Sequence, residues 1–353
     1  MIEHASGNLL EAQCDALINT VNTVGVMGKG VALQFKQAFP DNFKQYERAC
    51  RAGEVQIGRM FVVPTDGLGK PRYIINFPTK RHWRQPSRLE DIAAGLADLV
   101  AQVVALQLES VAIPPLGCGS GGLDWSRVRP LIEEAFASVP EIRVLLFAPT
   151  ATPAAAAMPV STSQPALTRA RAVFIRLLEL YGALGYRLSL LEVQKLAYFA
   201  QEAGEPLRLR FQKAQYGPYA ENLNHALQRM EGHYVRGYGD RSRGHDAQLH
   251  LLPGAAEEAR EFLEGCDGAE DRLLRVAGLI RGFETPYGME LLASVHWVAR
   301  HDDPEAARDP SVGVTRVHEW SSRKRERFSP DHIRKAWQRL HDQGWLDADP
   351  AGP

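Results

Sequence analysis

Residues 114–125 read Pro114-Pro115-Leu116-Gly117-Cys118-Gly119-Ser120-Gly121-Gly122-Leu123-Asp124-Trp125. Four glycines fall within six residues, between a short apolar run, Ser110–Pro114 (SVAIP), and an amphipathic run, Val128–Ser138. A glycine-rich turn that leaves a strand and enters a helix brings backbone N–H groups and the helix dipole up to an anion. The same composition also serves an ordinary tight turn. A second stretch repeats the layout: Ile18-Asn19-Thr20-Val21-Asn22 runs into Gly25-Val26-Met27-Gly28-Lys29-Gly30, then a helical stretch, Val31–Phe39. Its spacing is neither a Walker A loop nor GxGxxG. Two such loops in one unit can grip both phosphates of a pyrophosphate.

Around these loops, Ala16–Ile18, Arg59–Pro64 (RMFVVP), Arg72–Phe77 (RYIINF) and Ile142–Phe147 (IRVLLF) have the length and β-branched content of strands buried on both faces. Ser87 and Glu90 have the spacing of a capping box ahead of an apolar stripe at Leu89, Ile92, Leu96, Leu99, Val103 and Leu106. In Val128–Ser138, Pro130 is tolerable only near the first turn. Strands alternating with helices predict an α/β layered domain with its ligand at the strand ends.

The chain has 353 residues, and at roughly 100–200 residues per domain this predicts two domains. The division falls at Pro149–Thr168, which holds four Pro, six Ala and six Ser/Thr without a charge or an aromatic ring. We read domains over 1–149 and 169–353 joined by a Pro/Ala/Ser/Thr linker at 150–168; a bound strap is the alternative. The second half has helical periodicity over Ala170–Leu184, Leu190–Ala203, Ala220–Glu231, Ala255–Leu263 and Asp271–Arg281. A basic tail follows from Arg316 to Leu346, ending in IRKAWQRLHDQGWL, which is similar to the end of a winged-helix element.

With 41 basic against 42 acidic side chains, any nucleic-acid contact must come from a local patch. Four scattered cysteines, Cys14, Cys50, Cys118 and Cys266, form neither a disulfide framework nor a zinc site and suit a reducing cytosol. The opening MIEHASGNLL is no signal peptide, and no apolar run reaches about 18 residues. The expectation is a soluble cytoplasmic protein with no membrane partner, no metal and no cofactor.

Lys80 lies in Asn76-Phe77-Pro78-Thr79-Lys80-Arg81-His82-Trp83, at a strand end. Only nine of the 41 basic residues are Lys. Arg cannot deprotonate, whereas a Lys beside a cation such as Arg81 can have its pKa lowered and act as a nucleophile. A solvated Lys in a basic loop is the plainer alternative. His82 reads as a surface or stacking residue and Trp83 as a cap on the core. Cys118 has no His near it in sequence and reads as a small residue tolerated in a tight loop, against a catalytic thiolate.

In this order these pieces resemble a macrodomain, the ADP-ribose-binding three-layer α/β/α fold, over residues 1 to about 149. The resemblance rests on Gly7-Asn8-Leu9, the Asn19/Asn22 stretch, GVMGKGVA at 25–32 and PLGCGSGGLDW at 115–125. Met27-Gly28-Lys29-Gly30 and Thr79-Lys80 make it most similar to the terminal ADP-ribose glycohydrolases, which implies that Lys80 is catalytic. It further implies ADP-ribose contacts from Asn8 (adenine), Leu9, Asn19, Asn22 (distal ribose), Val26, Met27, Gly28, Gly30, Val31, Gly117, Cys118, Gly119, Ser120, Gly121 and Gly122. Two positions depart from the pattern: Asn8 replaces an acid, and Gly121 stands where that branch carries an Asp, with Asp124 three residues on.

Leu190–Ala200 (LLEVQKLAYFA) followed by Gln215-Tyr216-Gly217-Pro218-Tyr219 is similar to the Panacea-type antitoxin domain, a mainly helical binding module. That implies toxin binding, with contact expected at Tyr216, Tyr219 and the helix beginning at Leu190, and acidic help from Asp302, Asp303 and Glu305. Both tyrosines can equally be core residues. The joint resemblance is to DarG-type antitoxins. It implies removal of ADP-ribose from thymidine bases in single-stranded DNA, with ADP-ribose as product, and binding of a cognate DarT-type DNA ADP-ribosyltransferase toxin. Two other functions stay open, a non-catalytic ADP-ribose reader and an ADP-ribose-sensing DNA-binding regulator. The basic run Arg316–Arg327 motivates the regulator, and a solvated helix face also explains that run.

Overall fold

The computed structural model describes residues 1–67, 69–149, 153–182, 188–241 and 247–347. It divides into two units, Met1–Ser163 with Gly239–Ser242, and Gln164–Tyr238 with Arg243–Pro353.

In the first unit, β1 (Ile2–Ala5), β2 (Ala16–Asn22), β3 (Phe61–Pro64), β4 (Tyr73–Lys80), β5 (Ser110–Ile113) and β6 (Arg143–Phe147) form one sheet in the order β1-β6-β5-β2-β4-β3. All neighbours pair parallel except β3, which runs antiparallel to β4. Successive side chains of a strand face opposite ways, and here that alternation builds two cores. Leu17 and Ile74 pack with Phe35 of α1 (Gly30–Ala38). Their neighbours Ile18 and Ile75 pack with Leu96 and Leu99 of α3 (Leu89–Ala105) and Val128 and Ile132 of α4 (Trp125–Phe136). A further helix, α2 (Pro40–Arg51), follows α1. The result is the expected three-layer α/β/α arrangement around a mixed sheet.

The sequence reading places no strand at Ile2–Ala5 and no helix at Pro40–Arg51; the other differences in this unit are local. β2 and β4 run past their apolar cores because polar residues there pair with one another. Asn19 Nδ2 donates to Asn76 Oδ1 at 2.9 Å, and Asn76 Nδ2 donates to Asn42 Oδ1 at 2.7 Å, inside the fold. The Ser87/Glu90 capping box does not form. Arg88 is the N-cap of α3 without a side-chain hydrogen bond, and the Ser87 N–H donates instead to Gly121 O at 2.9 Å. α4 begins at Trp125, three residues before the expected start, because Asp124 accepts from the Ser126 N–H at 2.9 Å as its N-cap. Pro130 consequently lies within that helix.

The Pro/Ala stretch read as a linker behaves as a strap as far as Ser163. The prolines deny it a long helix, but its backbone polar groups find partners on the first unit. Asn8 Nδ2 donates to Ala157 O at 2.8 Å, the Ser161 N–H donates to Gln37 O at 2.8 Å, and Met158 is buried. Linker residues 150–152, positions 183–184 of the helix expected to reach Leu184, and 348–353 lie outside the described residues.

The second unit is mostly helical. It contains α5 (Arg169–Gly182), β7 (Leu188–Ser189), α6 (Leu190–Glu202), the hairpin β8 (Phe211–Ala214) and β9 (Gly217–Ala220), α7 (Leu223–Met230), β10 (Val235–Arg236) and β11 (Gln248–Leu251). Then come α8 (Ala255–Glu264), α9 (Ala269–Ile280), α10 (Pro286–Trp297), α11 (Pro310–Trp320), α12 (Ser322–Arg327) and α13 (Pro330–Asp342). α6 is the central helix, with every residue from Leu190 to Ala200 buried. The ending expected to be winged-helix-like has another explanation. Ile333, Ala336, Trp337 and Leu340 bury one face of α13, and Gly344 at φ +65° turns Trp345 and Leu346 back into the core. Among the described residues no strand follows α13 to make a wing.

Candidate active site at the carboxyl edge of the sheet

β5, β2 and β4 are parallel neighbours, so both glycine-rich loops and Lys80 leave the sheet along one edge. Asn22 at the end of β2 pairs in register with Lys80 at the end of β4. Ligands of open α/β sheets bind at this edge because loop N–H groups and helix N-termini converge there.

Asn22 shapes the first loop. Its Oδ1 accepts from the N–H groups of Val24 (3.0 Å) and Val26 (3.3 Å), and its Nδ2 donates to Val26 O at 2.6 Å. The Tyr46 hydroxyl of α2 donates to Asn22 O at 2.6 Å. Met27 is buried beneath the loop while Val26 is exposed. Gly30 opens α1 at φ +62°, and its N–H donates to Asp240 O, a residue of the same unit. Val31 follows in the first turn, partly buried against Leu17 and Phe35. The N–H groups of Met27, Gly28 and Lys29 have no protein partner among the described residues.

The second loop is folded on itself. Cys118 N–H donates to Pro115 O, Gly122 N–H to Gly119 O and Leu123 N–H to Gly117 O. This leaves the N–H groups of Gly119, Ser120 and Gly121 without a protein partner among the described residues. Position 121 admits only glycine: a Cβ there would stand 2.3 Å from both Gly117 O and Ser87 Oγ. A carboxylate at this position has no room, which accounts for the departure from the terminal glycohydrolase pattern. Asp124 does not replace it, being committed to the cap of α4.

Lys80 bridges the two loops. Its Nζ donates to Ser120 O at 2.5 Å, and the Thr23 N–H of the first loop donates to Lys80 O at 3.1 Å. Burial holds the amine below the ordinary lysine value. Arg81 is not the cause, because its guanidinium is clamped on Asp91 by hydrogen bonds of 2.6 and 3.0 Å. Among the described residues no carboxylate pairs with Lys80. Cys118 is held protonated, its thiol pushed up to about 11 by burial and then by the Asp124 charge, so the thiolate alternative has no support.

Other expected site residues serve the scaffold. Asn8 caps a short turn at Leu9–Glu11 by accepting from the Leu10 N–H, and its amide hydrogens go to Ala157 O and Glu11. Leu9 is a core residue, and Asn19 belongs to the buried amide network under the sheet. Trp83, expected to cap the core, is exposed.

In the second unit Tyr216 and Tyr219 are half-buried on the β8–β9 hairpin. The Arg323 guanidinium lies 4.5 Å over the Tyr216 ring, and Asn224 Nδ2 donates to the Tyr219 hydroxyl at 2.7 Å. From Leu190 to Ala200 the helix offers no contact surface, because its packing covers that stretch on all sides. The basic run is partly engaged within the unit: Arg316 pairs with Asp303 and Glu319, Arg323 and the fully buried Lys324 share Glu290, and Arg325 is exposed. Fewer of its cations are therefore open to a phosphate than the run suggests. No cluster of three or more His, Cys, Asp or Glu able to hold a metal occurs among the described residues, and none of their helices is long and apolar enough to cross a membrane.

A family model described as Macro domain matches residues 18–132. A DNA ADP-ribosyl glycohydrolase of Thermus aquaticus is 49% identical over 359 residues, covering 100% of this chain and 98% of the relative. A DNA ADP-ribosyl transferase–DNA ADP-ribosyl glycohydrolase fusion protein of Thermosipho africanus is 36% identical over 141 residues, 36% of each chain. Among solved structures, the macrodomain of Mycobacterium tuberculosis DarG shares 54% identity, covering 42% of this chain and 99% of that one, with a TM-score of 0.42.

Proposed function

The chain belongs to the family of DNA ADP-ribosyl glycohydrolases, and from that premise we propose that it removes ADP-ribose from thymidine bases in single-stranded DNA. The observation that carries this reading is Lys80, a half-buried amine without a carboxylate partner, set between two loops that offer unpartnered N–H groups. The N–H groups of Met27, Gly28 and Lys29 take one phosphate of the ADP-ribose and those of Gly119, Ser120 and Gly121 the other. Ser120 O orients the Lys80 amine toward C1″ of the distal ribose. The neutral amine attacks C1″ as the bond from C1″ to the base breaks, the base takes up a proton, and water then frees ADP-ribose and regenerates the amine. Burial favours this course because it lowers the cost of removing the amine's proton. The test is release of free ADP-ribose from a single-stranded oligonucleotide carrying ADP-ribosyl-thymidine. A chain that binds ADP-ribose but leaves this oligonucleotide intact is a reader.

The second unit supplies the other half of the proposal, direct binding of a DNA ADP-ribosyltransferase toxin. The Thermosipho relative, whose name joins such a transferase to a glycohydrolase, supports a working partnership between the two activities. The hairpin tyrosines Tyr216 and Tyr219 suit a protein contact, since aromatic groups held rigidly lose little entropy on binding. We expect full-length Lys80→Ala to co-purify with the toxin and to suppress its toxicity when the two are co-expressed. Loss of both in this variant would leave only the hydrolase role.

A further inference from the structure

We propose that the segment His82–Arg88, which leaves β4 directly after Lys80, is a single-stranded DNA subsite in which a base next to the modified thymidine stacks on Trp83. The flanking phosphates meet Arg84 and Arg88. This rests on the reading of Lys80 as the centre of DNA de-ADP-ribosylation.

Three observations carry it. Trp83 is 46% exposed, three residues beyond Lys80, whereas tryptophan is on average a highly buried residue. Its ring is held on the spot: the His82 ring stacks on it at 5.5 Å between centroids with 28° between planes, and the Arg84 guanidinium lies 4.5 Å from its centre. The segment is also anchored at both ends. Thr23 Oγ1 donates to Arg81 O at 2.8 Å, and the Ser87 N–H donates to Gly121 O at 2.9 Å, tying the platform to the first and second glycine loops in turn. A strand laid on this platform therefore has a fixed register relative to Lys80, and little ordering remains to be done on binding.

The charge is of the matching sign. Arg81 is neutralised by Asp91, but neither Arg84 nor Arg88 forms an ion pair among the described residues. The chain as a whole carries a net charge of −1, so attraction for a polyanion has to be local. Arg84 lies over the Trp83 ring in the unbound chain, so an incoming base takes its place on the ring face and the guanidinium moves to the flanking phosphate. An aromatic ring with cations around it is the combination that grips single strands without reading sequence, because every base has a π-face. A duplex hides those faces in its own stack, so the platform selects unpaired DNA.

The test compares two substrates of the full-length chain, ADP-ribosyl-thymidine nucleoside and the same nucleoside within a single-stranded oligonucleotide. Trp83→Ala should raise KM for the oligonucleotide by about ten- to a hundredfold, the effect of losing one base–aromatic stack. It should leave kcat, the nucleoside KM and ADP-ribose affinity unchanged, and Trp83→Phe should restore most of the oligonucleotide KM. Arg84→Ala and Arg88→Ala should each flatten the dependence of oligonucleotide affinity on salt by about 0.7 in log–log slope. Equal losses on both substrates would make Trp83 a support for the fold, and an unchanged oligonucleotide KM would remove DNA from this surface. Loss of toxin co-purification with the oligonucleotide KM intact would make it a protein contact, and the proposal falls. Should the unaltered chain cleave neither substrate, the hydrolase reading fails instead, and equilibrium binding of the oligonucleotide to the unaltered and Trp83→Ala chains still decides the subsite.

Discussion

Lys80→Ala is expected to cut release of ADP-ribose from ADP-ribosylated single-stranded DNA by on the order of 10³-fold or more, while ADP-ribose affinity stays within about threefold. The reason for the split is geometric. The hydrogen bond that the Lys80 amine makes among the described residues goes to Ser120 O, whereas the N–H groups assigned to the phosphates belong to the loop backbones and survive the substitution. Lys80→Arg should be nearly as inactive, because a guanidinium stays protonated and cannot offer a lone pair. The pH profile gives a second readout. Burial lowers the Lys80 pKa, so a nucleophilic amine makes kcat/KM rise with pH and level off below the ordinary lysine value of 10.5. If the group acts as an ammonium against developing charge, the same titration makes the rate fall as pH rises. Turnover by Lys80→Ala equal to that of the unaltered chain would remove this residue from the reaction.

Glu290→Ala is expected to destabilise the second unit by about 3–5 kcal/mol, seen as a shifted denaturant midpoint of that unit with the first unit's transition unmoved. Glu290 is buried and accepts from Arg323 at 2.6 and 3.0 Å and from Lys324 Nζ at 2.9 Å. Lys324 is fully buried, and so is Lys195, whose Nζ donates to Pro218 O at 2.7 Å. Removing the carboxylate leaves this cationic cluster uncompensated. Burial, then the neighbouring Lys324 charge, already brings Lys195 down to about 7. For an amine with a lowered folded pKa, the unfolded chain binds more protons between about 7 and 10.5, so stability rises with pH across that window. The Glu290→Ala defect should accordingly shrink at alkaline pH as the buried amines shed their protons. A defect that does not change with pH would mean that lost packing, not uncompensated charge, is the cause. The same cluster pins the β8–β9 hairpin through Arg323 over Tyr216 and Lys195 on Pro218 O, so toxin binding should fail along with stability.

The residues differ in how far their roles were legible along the chain. The glycine loops, the strands that feed them and Lys80 at a strand end could be read directly, because turn chemistry, strand alternation and the reach of a loop depend on residues adjacent in sequence. Asn8, Asn19 and Asn22 could not. Each amide looked available, but Ala157, Asn76 and the backbone of Val26 take up their donors. The Pro/Ala stretch looked free for the same reason, since composition reports what a segment cannot form and is silent on what it lies against.

The sequence by itself determined the alternation of strands and helices around the central sheet, the two glycine-rich loops and the place of Lys80 at a strand end, all consequences of local backbone preference and spacing. Only the tertiary structure decided which polar and charged groups remain free. It closed position 121 to any side chain, tied Arg323 of α12 to a carboxylate 33 residues away, and left Trp83 exposed three residues beyond Lys80. The physical reason is that burial and hydrogen-bond satisfaction are set by partners remote in the chain, which no local window contains.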